Sequence, residues 1–226
     1  MHAEESPSLY PTNDYLPSRS DLTGDPVRDA AVWHRLACEV LTSDQRPSGI
    51  WIGGDLHDDE LIAVEQIREW DELGIQHVVD CREEHSDLEL VQREVPWVRY
   101  THVGVDDHGG QQRDEWFEEG VAAALATLVD GGHVYVHCHM GINRGPSMAF
   151  AVLLALGWDI TEALDAIIAA RPIVGVIYAA DAVRWFGTRN GWDGNQIDRG
   201  IGAVRAWHVE QDIDIEKVIR VIWTAD

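Results

Sequence analysis

The sequence predicts an α/β fold in which a mostly parallel central sheet is flanked by helices. Three observations favour this class. Short segments that resemble strands alternate along the chain with longer segments of helical periodicity. The strand candidates are rich in β-branched residues, as buried parallel strands are. Hydrophobic residues make up 45% and charged residues 25% of the 226-residue chain, which is typical of a globular protein with one full core.

The amino-terminal third is predicted to hold an arm, a strand and two helices. Residues 1–24 show no clear period and are interpreted as an irregular arm. Apolar positions recur at helical spacing in residues 25–41, which places Cys38 on a helix that "TSDQRPSG" ends with turn formers. "GIWIGG" is then a short strand. In "DDELIAVEQIREWDELG" one face is apolar and Gly74 stands where a helix ends, so an amphipathic helix is expected.

The rest of the chain continues the alternation. The strands "IQHVVDC" and "WVRYTHVGV" are separated by the charged segment "REEHSDLELVQREVP". A helix, "EWFEEGVAAALATLVDGG", precedes the strand "HVYVH", and two or three helices follow it. We therefore expect an amino-terminal arm and helix (1–47), a catalytic domain (48–190) and a carboxy-terminal extension (191–226). The extension contains the amphipathic stretch "KVIRVIW", whose apolar face should pack on the same domain.

Charge and composition exclude several classes of partner. With 40 acidic and 17 basic side chains, the formal net charge is −23, so the surface repels nucleic-acid backbones and anionic lipid headgroups. The longest nearly unbroken apolar run, "MAFAVLLALGW", is much shorter than the roughly 20 residues that span a bilayer. The acidic amino terminus does not resemble a secretory signal, and three separated cysteines argue against a disulfide framework. These features predict a cytoplasmic protein that binds neither nucleic acid nor membranes.

The most informative segment is "HVYVHCHMGINRGPSMAF", a strand followed by a short loop and a helix. The loop brings unsatisfied backbone N–H groups to a helix amino terminus, which favours an anion. Gly141 allows the φ angle that turns these amides inward, and Pro146 suits a first helical turn. Arg144 can hold two oxygens of a tetrahedral dianion. Beside them the pKa of the Cys138 thiol should fall, so that a thiolate nucleophile is expected at neutral pH.

This segment resembles the HCx5R signature of cysteine-dependent phosphatases, and its surroundings are similar to the dual-specificity branch over roughly residues 48–188. The resemblance implies a tyrosine or dual-specificity phosphatase fold and a cysteinyl-phosphate intermediate. Cys138 would attack phosphorus while Arg144 and the loop amides stabilise the oxygens of the phosphate. The phosphate-binding loop would then consist of His139, Met140, Gly141, Ile142, Asn143 and Arg144.

The resemblance also implies a general acid about thirty residues before the cysteine. Asp106 and Asp107 both qualify. Asp107 is preferred because Phe117 follows it by ten positions, as an aromatic residue follows the acid in similar proteins; Trp116 stands at the same offset from Asp106. The acid would protonate the leaving oxygen and, once ionised, activate water.

Other residues near the signature have expected supporting roles. His137 is expected to hydrogen-bond within the loop and orient it, and His139 to lie at the pocket rim. Cys81 could form a reversible disulfide with Cys138, as in several similar phosphatases. Family members usually carry Ser or Thr where this chain has Gly145, so hydrolysis of the phosphoenzyme is expected to be slow. No cofactor or metal is expected. His133 and His137 lie on one strand, but no further Cys or His pair at ligand spacing would complete a metal site with them.

The predicted substrate is a phosphorylated protein or a small phosphomonoester, with phosphotyrosine first and phosphoserine or phosphothreonine possible. Three alternatives stay open: a pseudophosphatase that binds phosphate without turnover, a phosphoinositide phosphatase, and an RNA 5′-phosphatase. The loop lacks the lysines that similar lipid phosphatases use, and the negative charge disfavours RNA. The sequence does not predict the oligomeric state.

Overall fold

The computed structural model describes residues 16–211 and 213–225 and contains one five-stranded sheet with the strand order β1-β2-β5-β3-β4. The strands are β1 (Cys38–Leu41), β2 (Pro47–Gly53), β3 (Ile75–Arg82), β4 (Arg99–Val105) and β5 (His133–His137). Strand β1 pairs antiparallel with β2, and the other pairings are parallel. The predicted α/β class with a mostly parallel sheet is therefore confirmed.

Helices cover both faces of this sheet. In the described part of the chain they are α1 (Ala30–Arg35), α2 (Glu60–Glu72), α3 (Leu88–Glu94), α4 (Asp114–Leu128), α5 (Arg144–Ala155), α6 (Ile160–Ala170), α7 (Ala179–Arg189), α8 (Gly194–Glu210) and α9 (Ile215–Ala225). Val78 and Tyr135 point into the core shared with α2 and α3, whereas Val79 and Val136 point into the larger core on the opposite face. Both faces of the central strands are thus buried, as parallel strands require.

Two predicted elements differ from the structure. Cys38 is buried as expected but begins strand β1 rather than lying on a helix, because its segment pairs with β2 at Ile52. Helix α1 is therefore short, and Leu36 ends it in an extended conformation. The charged segment between β3 and β4 holds the additional helix α3, whose one fully buried position, Val91, packs in the smaller core. Tertiary pairing overrode local periodicity in the first case.

The carboxy-terminal helices pack on the larger core. Helix α8 lies against α6 and α7, and Trp207 donates a hydrogen bond from its indole nitrogen to Asp165 on α6 at 2.8 Å. Helix α9 lies against α1 and buries Val218 and Ile222. At the other end, the first 15 residues of the predicted arm lie outside the described residues.

The sheet topology places the signature segment at the centre of the molecule. Strand β5 lies between β2 and β3, and α5, which follows it, is almost entirely buried. The loops that leave the carboxyl ends of β3, β4 and β5 all meet at one edge of the sheet, since these strands are parallel. None of the helices in the described part of the chain combines the length and apolar composition that crossing a bilayer requires.

Candidate active site

The signature loop runs from Cys138 to Asn143, and α5 begins at Arg144. Gly141 has a φ of +65°, and a Cβ built on it would lie 2.5 Å from the backbone of Gly53. Only glycine fits this position without moving β2. The turn directs the N–H groups of Gly141 and Gly145 at the sulfur of Cys138. The loop therefore forms a ring of donors around the thiol.

A fully buried arginine that the sequence reasoning missed holds the outer side of this loop. Arg171, which follows α6, donates from Nε to the carbonyl of Gly141 at 2.8 Å and from Nη2 to that of Met140 at 3.0 Å. Its Nη1 donates to the carbonyls of Trp33 and Leu36 at the end of α1. Because the carbonyls of the loop are bound to Arg171 on the outside, its amides are free to face inward.

The nucleophile candidate is almost completely buried. Cys138 exposes 2% of its surface, and burial raises the pKa of its thiol, while the charge of Arg144 and the N–H groups of Gly145 and Gly141 act in the opposite direction. The prediction of a lowered pKa for Cys138 is therefore wrong. The sequence reasoning omitted the loss of water around the sulfur, which outweighs the favourable dipoles and charge here.

Arg144 is fixed by a carboxylate that the sequence reasoning did not single out. Its Nη1 and Nη2 donate to the two carboxylate oxygens of Glu84 at 2.7 Å each, and Nη1 also donates to the carbonyl of Val105 at 2.9 Å. This pairing lowers the pKa of Glu84 to about 2. Glu84 stands just after β3, at the sheet edge where the signature loop begins, and that position was the signal available in the sequence.

Glu84 and Val105 use three of the five N–H donors of the Arg144 guanidinium. The Nε–H is buried and makes no hydrogen bond to any described residue, although Asp107 lies 3.5 Å away. One Nη2–H is also left over. Nε and Nη2 together have the fork geometry that binds two oxygens of an oxyanion, and Arg144 lines the same pocket as the Cys138 sulfur.

The structure separates the two candidate acids. Asp107 lines the pocket above Cys138, and its Oδ1 accepts hydrogen bonds from Asn143 Nδ2 at 2.6 Å and from the Tyr178 hydroxyl at 2.8 Å. Asp106 has a side chain that is 69% exposed and lies 3.8 Å from the ring of His108. Of these two aspartates, Asp107 is the one that lines the pocket. No motif in the sequence pointed to Tyr178, which directly precedes α7.

The histidines that flank Cys138 differ in environment. His137 is fully buried; neither ring nitrogen makes a hydrogen bond to a described residue, and the closest carboxylate oxygen, on Asp80, is 3.6 Å away. Its predicted hydrogen bond within the loop is therefore wrong, and burial lowers the pKa of His137. The ring instead stacks on Tyr135. His139 is partly exposed on the pocket wall and bonds Asp55 through Nδ1 at 2.5 Å, which raises the pKa of His139.

Gly145 stands where no side chain fits. A Cβ at this position would lie 2.9 to 3.1 Å from backbone atoms of His137 and Cys138. Ser147 does not take over the hydroxyl position, since its oxygen bonds Asn143 Oδ1 and the backbone N–H of Tyr178, both at 3.3 Å. This chain thus has glycine instead of the usual Ser or Thr at a position where the surrounding backbone leaves no room for a side chain.

Cys81 lies close to the nucleophile candidate. Asp80 on β3 pairs with His137, the last residue of β5, and Cys81 and Cys138 directly follow these two partners. Both thiols are free and buried, and burial together with the charge of Cys138 raises the pKa of Cys81. Among the described residues, no three His, Cys, Asp or Glu side chains meet in an arrangement for a metal ion.

The pocket over the loop has a volume of about 320 Å³. Cys138, Arg144 and Asn143 lie within it, Glu84, Asp107 and His139 form its polar side, and a third group forms an apolar side. The members of that apolar side are Met140, Ile142, Ile177, Ile215, Ile219 and Trp223. A buried thiol, an arginine fork and a carboxylate in one pocket of a mostly parallel α/β fold are the arrangement expected of a cysteine-dependent phosphatase.

Comparison with known proteins gives the family. The family profile of the dual specificity phosphatase catalytic domain matches residues 62–177. This chain belongs to that family, which confirms the resemblance stated from the signature. The matched segment begins in α2 and stops just before Tyr178. Helices α8 and α9 therefore lie outside it.

Curated relatives match over a similar region. Dual specificity protein phosphatase 15 of Rattus norvegicus is 33% identical over 109 residues, which are 46% of this chain and 43% of the relative. The Mus musculus protein of the same name is 32% identical over the same length. The match thus spans less than half the length of these relatives.

Solved structures share the fold. A crystal structure of DUSP15 has a TM-score of 0.53 at 18% identity and covers 73% of this chain and 94% of its own. PTPMT1 also has a TM-score of 0.53, at 19% identity, covering 69% and 97%. PTPMT1 in complex with PI(5)P has a TM-score of 0.51 at 21% identity, covering 63% and 92%.

Proposed function

We propose that this chain hydrolyses phosphomonoesters through a phosphocysteine intermediate on Cys138. The observation that carries the proposal is the buried Nε of Arg144, which makes no hydrogen bond to the described residues and lies in the same pocket as the sulfur. A buried N–H without a partner costs free energy unless a ligand satisfies it. A phosphate dianion has the charge and the two adjacent oxygens that this fork requires.

In the first step the Cys138 thiolate attacks phosphorus and the ester P–O bond breaks. Asp107, in its protonated form, gives its proton to the leaving oxygen, while Arg144 and the loop N–H groups hold the three remaining oxygens. In the second step Asp107 takes a proton from water, the resulting hydroxide attacks phosphorus, and the S–P bond breaks. The products are the alcohol or phenol, inorganic phosphate and the regenerated thiolate.

The proposed substrates are phosphoproteins, with phosphotyrosine first and phosphoserine or phosphothreonine second. An apolar pocket side of isoleucines and a tryptophan suits an aryl ester better than a polar sugar. A phosphoinositide with further phosphates would place negative charge against Glu84 and Asp107 on the polar side. The complex of PTPMT1 with PI(5)P nevertheless makes a phosphoinositide the substrate to compare directly. A cytoplasmic location is part of the proposal, supported by three buried free cysteines.

The test follows both phases of the reaction. Purified protein is mixed with an aryl phosphate, and the early burst and the steady release of phosphate are recorded beside Cys138→Ser. Turnover in the wild type, with none in Cys138→Ser, supports the proposal. Vanadate or phosphopeptide binding without burst or turnover would overturn it in favour of a phosphate-binding pseudophosphatase.

A further inference from the structure

Half of the residues on the apolar side of the active-site pocket belong to the last helix of the described chain. Ile215, Ile219 and Trp223 are spaced four residues apart, so they lie on one face of α9, and all three line the pocket that holds Cys138 and Arg144. Helix α9 lies beyond the segment that matches the family profile. The pocket wall is therefore a feature of this chain's extension.

Helix α9 is also anchored by residues that do not line the pocket. Val218 and Ile222, which continue the same apolar stripe, are fully buried in the larger core. Asp214 caps the helix by accepting a hydrogen bond from the Lys217 N–H at 3.0 Å. A side chain on the pocket face can consequently be shortened without removing what holds the helix in place.

The same region is linked to the signature loop. His208 near the end of α8 bonds the carbonyl of Gly175 at 2.9 Å, and the Gly175 N–H donates to the carbonyl of Ile142 at 2.8 Å. The Cδ1 methyl of Ile215 lies 3.7 Å from the position that a Cβ on Gly175 would take. The end of α8 and the start of α9 thus both meet the segment at Gly175, which is hydrogen-bonded to the signature loop.

The chemistry of the wall indicates what it receives. Trp223 lines the pocket and is 68% exposed, and an indole left in water gains free energy when a ligand covers it. The other members of the apolar side are four isoleucines and a methionine, none of which carries a charge. A flat apolar group attached directly to the phosphate would meet Trp223 and Ile219, and aromatic groups make the better contact with an indole.

We propose that α9 is a substrate-recognition element whose Ile219 and Trp223 bind the aromatic ring of an aryl phosphomonoester, such as the side chain of phosphotyrosine. The inference rests on the proposed function, because the phosphate of that ester occupies the Cys138 loop. It assigns the preference for aryl over alkyl esters to a helix outside the family segment.

The test compares two phosphonates, which share one anionic head and resist hydrolysis. Calorimetry measures the dissociation constants of benzylphosphonate and methylphosphonate for Cys138→Ser and for the same protein carrying Trp223→Ala. We expect Trp223→Ala to raise the dissociation constant of benzylphosphonate about tenfold and to leave that of methylphosphonate unchanged. Trp223→Phe, which keeps an aromatic ring, should retain most of the preference.

Trp97→Ala is the matched control, since Trp97 is also an exposed tryptophan, at 64%, and does not line this pocket. It should leave both constants unchanged. An equal benzyl-to-methyl ratio before and after Trp223→Ala would overturn the recognition role of α9 alone. Failure of both phosphonates to bind Cys138→Ser would instead overturn the phosphate site, and with it the proposed function.

Discussion

Glu84 and Arg144 are joined by two hydrogen bonds of 2.7 Å between both oxygens of the carboxylate and both terminal nitrogens of the guanidinium. This pair sets the orientation of the arginine, so that Nε and one proton of Nη2 are left for a ligand. It also places a negative charge next to the positive charge that would otherwise stabilise the Cys138 thiolate. The same contact therefore positions one catalytic group and weakens its effect on another.

Glu84→Gln should change these two effects in opposite directions. Loss of the carboxylate lets the Arg144 fork reorient, and kcat/KM should fall by roughly 100-fold because the fork no longer meets the phosphate oxygens. The pKa of Cys138 should fall, because the charge of Arg144 is no longer neutralised. Steady-state kinetics and thiolate absorbance against pH measure the two quantities. Glu83→Gln, at the neighbouring position, should change neither; an unaltered kcat/KM in Glu84→Gln would contradict the assignment.

The acid assignment is tested by paired substitutions. Asp107→Asn should lower kcat for a phosphoserine or phosphothreonine peptide by about 100-fold, because a poor leaving group needs the proton that Asp107 supplies. Asp106→Asn should leave kcat near the wild-type value, since its side chain points into solvent. Pre-steady-state phosphate release measures each step. The reverse order of effects would assign the acid to Asp106.

Restoring the missing hydroxyl should not restore fast hydrolysis. A Cβ at position 145 comes within 2.9 Å of the backbone of His137, so Gly145→Ser and Gly145→Ala should each lower the free energy of unfolding by about 1–3 kcal/mol. Both should also disturb the N–H that Gly145 directs at the sulfur. Thermal unfolding and burst kinetics are measured together. A Gly145→Ser protein with unchanged stability and a faster second step would refute this explanation.

Oxidation should join Cys81 and Cys138. Hydrogen peroxide converts the Cys138 thiol to a sulfenic acid and releases water; the Cys81 thiol then displaces a second water to form the disulfide. Cys81 and Cys138 directly follow Asp80 and His137, which pair across β3 and β5. Neighbouring strands lie about 4.8 Å apart, which is within the Cα separation that a disulfide allows. Non-reducing peptide mapping should find this link and no link to Cys38. A Cys138 sulfenate that persists beside a reduced Cys81 would end the idea.

Stability should fall in mild acid because of a buried histidine outside the active site. His77 bonds Thr127 and Thr101, and its burial lowers its pKa to about 4. The unfolded chain binds a proton below about pH 6.5, while folded His77 stays neutral until about pH 4. Neutral His77 therefore contributes fully to the free energy of unfolding above pH 6.5. This contribution is lost as the pH falls, by about 2 kcal/mol at pH 5.

Urea unfolding at pH 7 and pH 5 checks this dependence. His77→Gln removes the titrating group. The free energy of unfolding should then differ less between pH 7 and pH 5, although it is lower than in the wild type at both. The control is His108→Gln, since the His108 side chain lies mostly on the surface; it should leave the pH dependence as in the wild type. An unchanged slope in His77→Gln would contradict the expected role of His77.

Contiguous features were the ones that the sequence predicted well. The strand, the loop with Gly141 and the helix after Arg144 follow one another within 18 residues, so local preferences suffice to specify them. Predictions that depended on surroundings fared worse. The pKa of Cys138 and the hydrogen bonding of His137 depend on burial by other elements. The secondary structure at Cys38 depends on pairing with β2, a later segment of the chain.

The sequence by itself determined the α/β class and the strand, loop and helix that carry Cys138 and Arg144, because alternation of elements and a glycine-containing loop are local patterns. Only the tertiary structure decided which groups meet that loop. Glu84, Asp107 and Arg171 arrive from separate connections, and the Trp223 wall arrives from the last helix. Their distances from Cys138 are set by how the helices and strands pack, and a single sequence does not encode that packing in any local pattern.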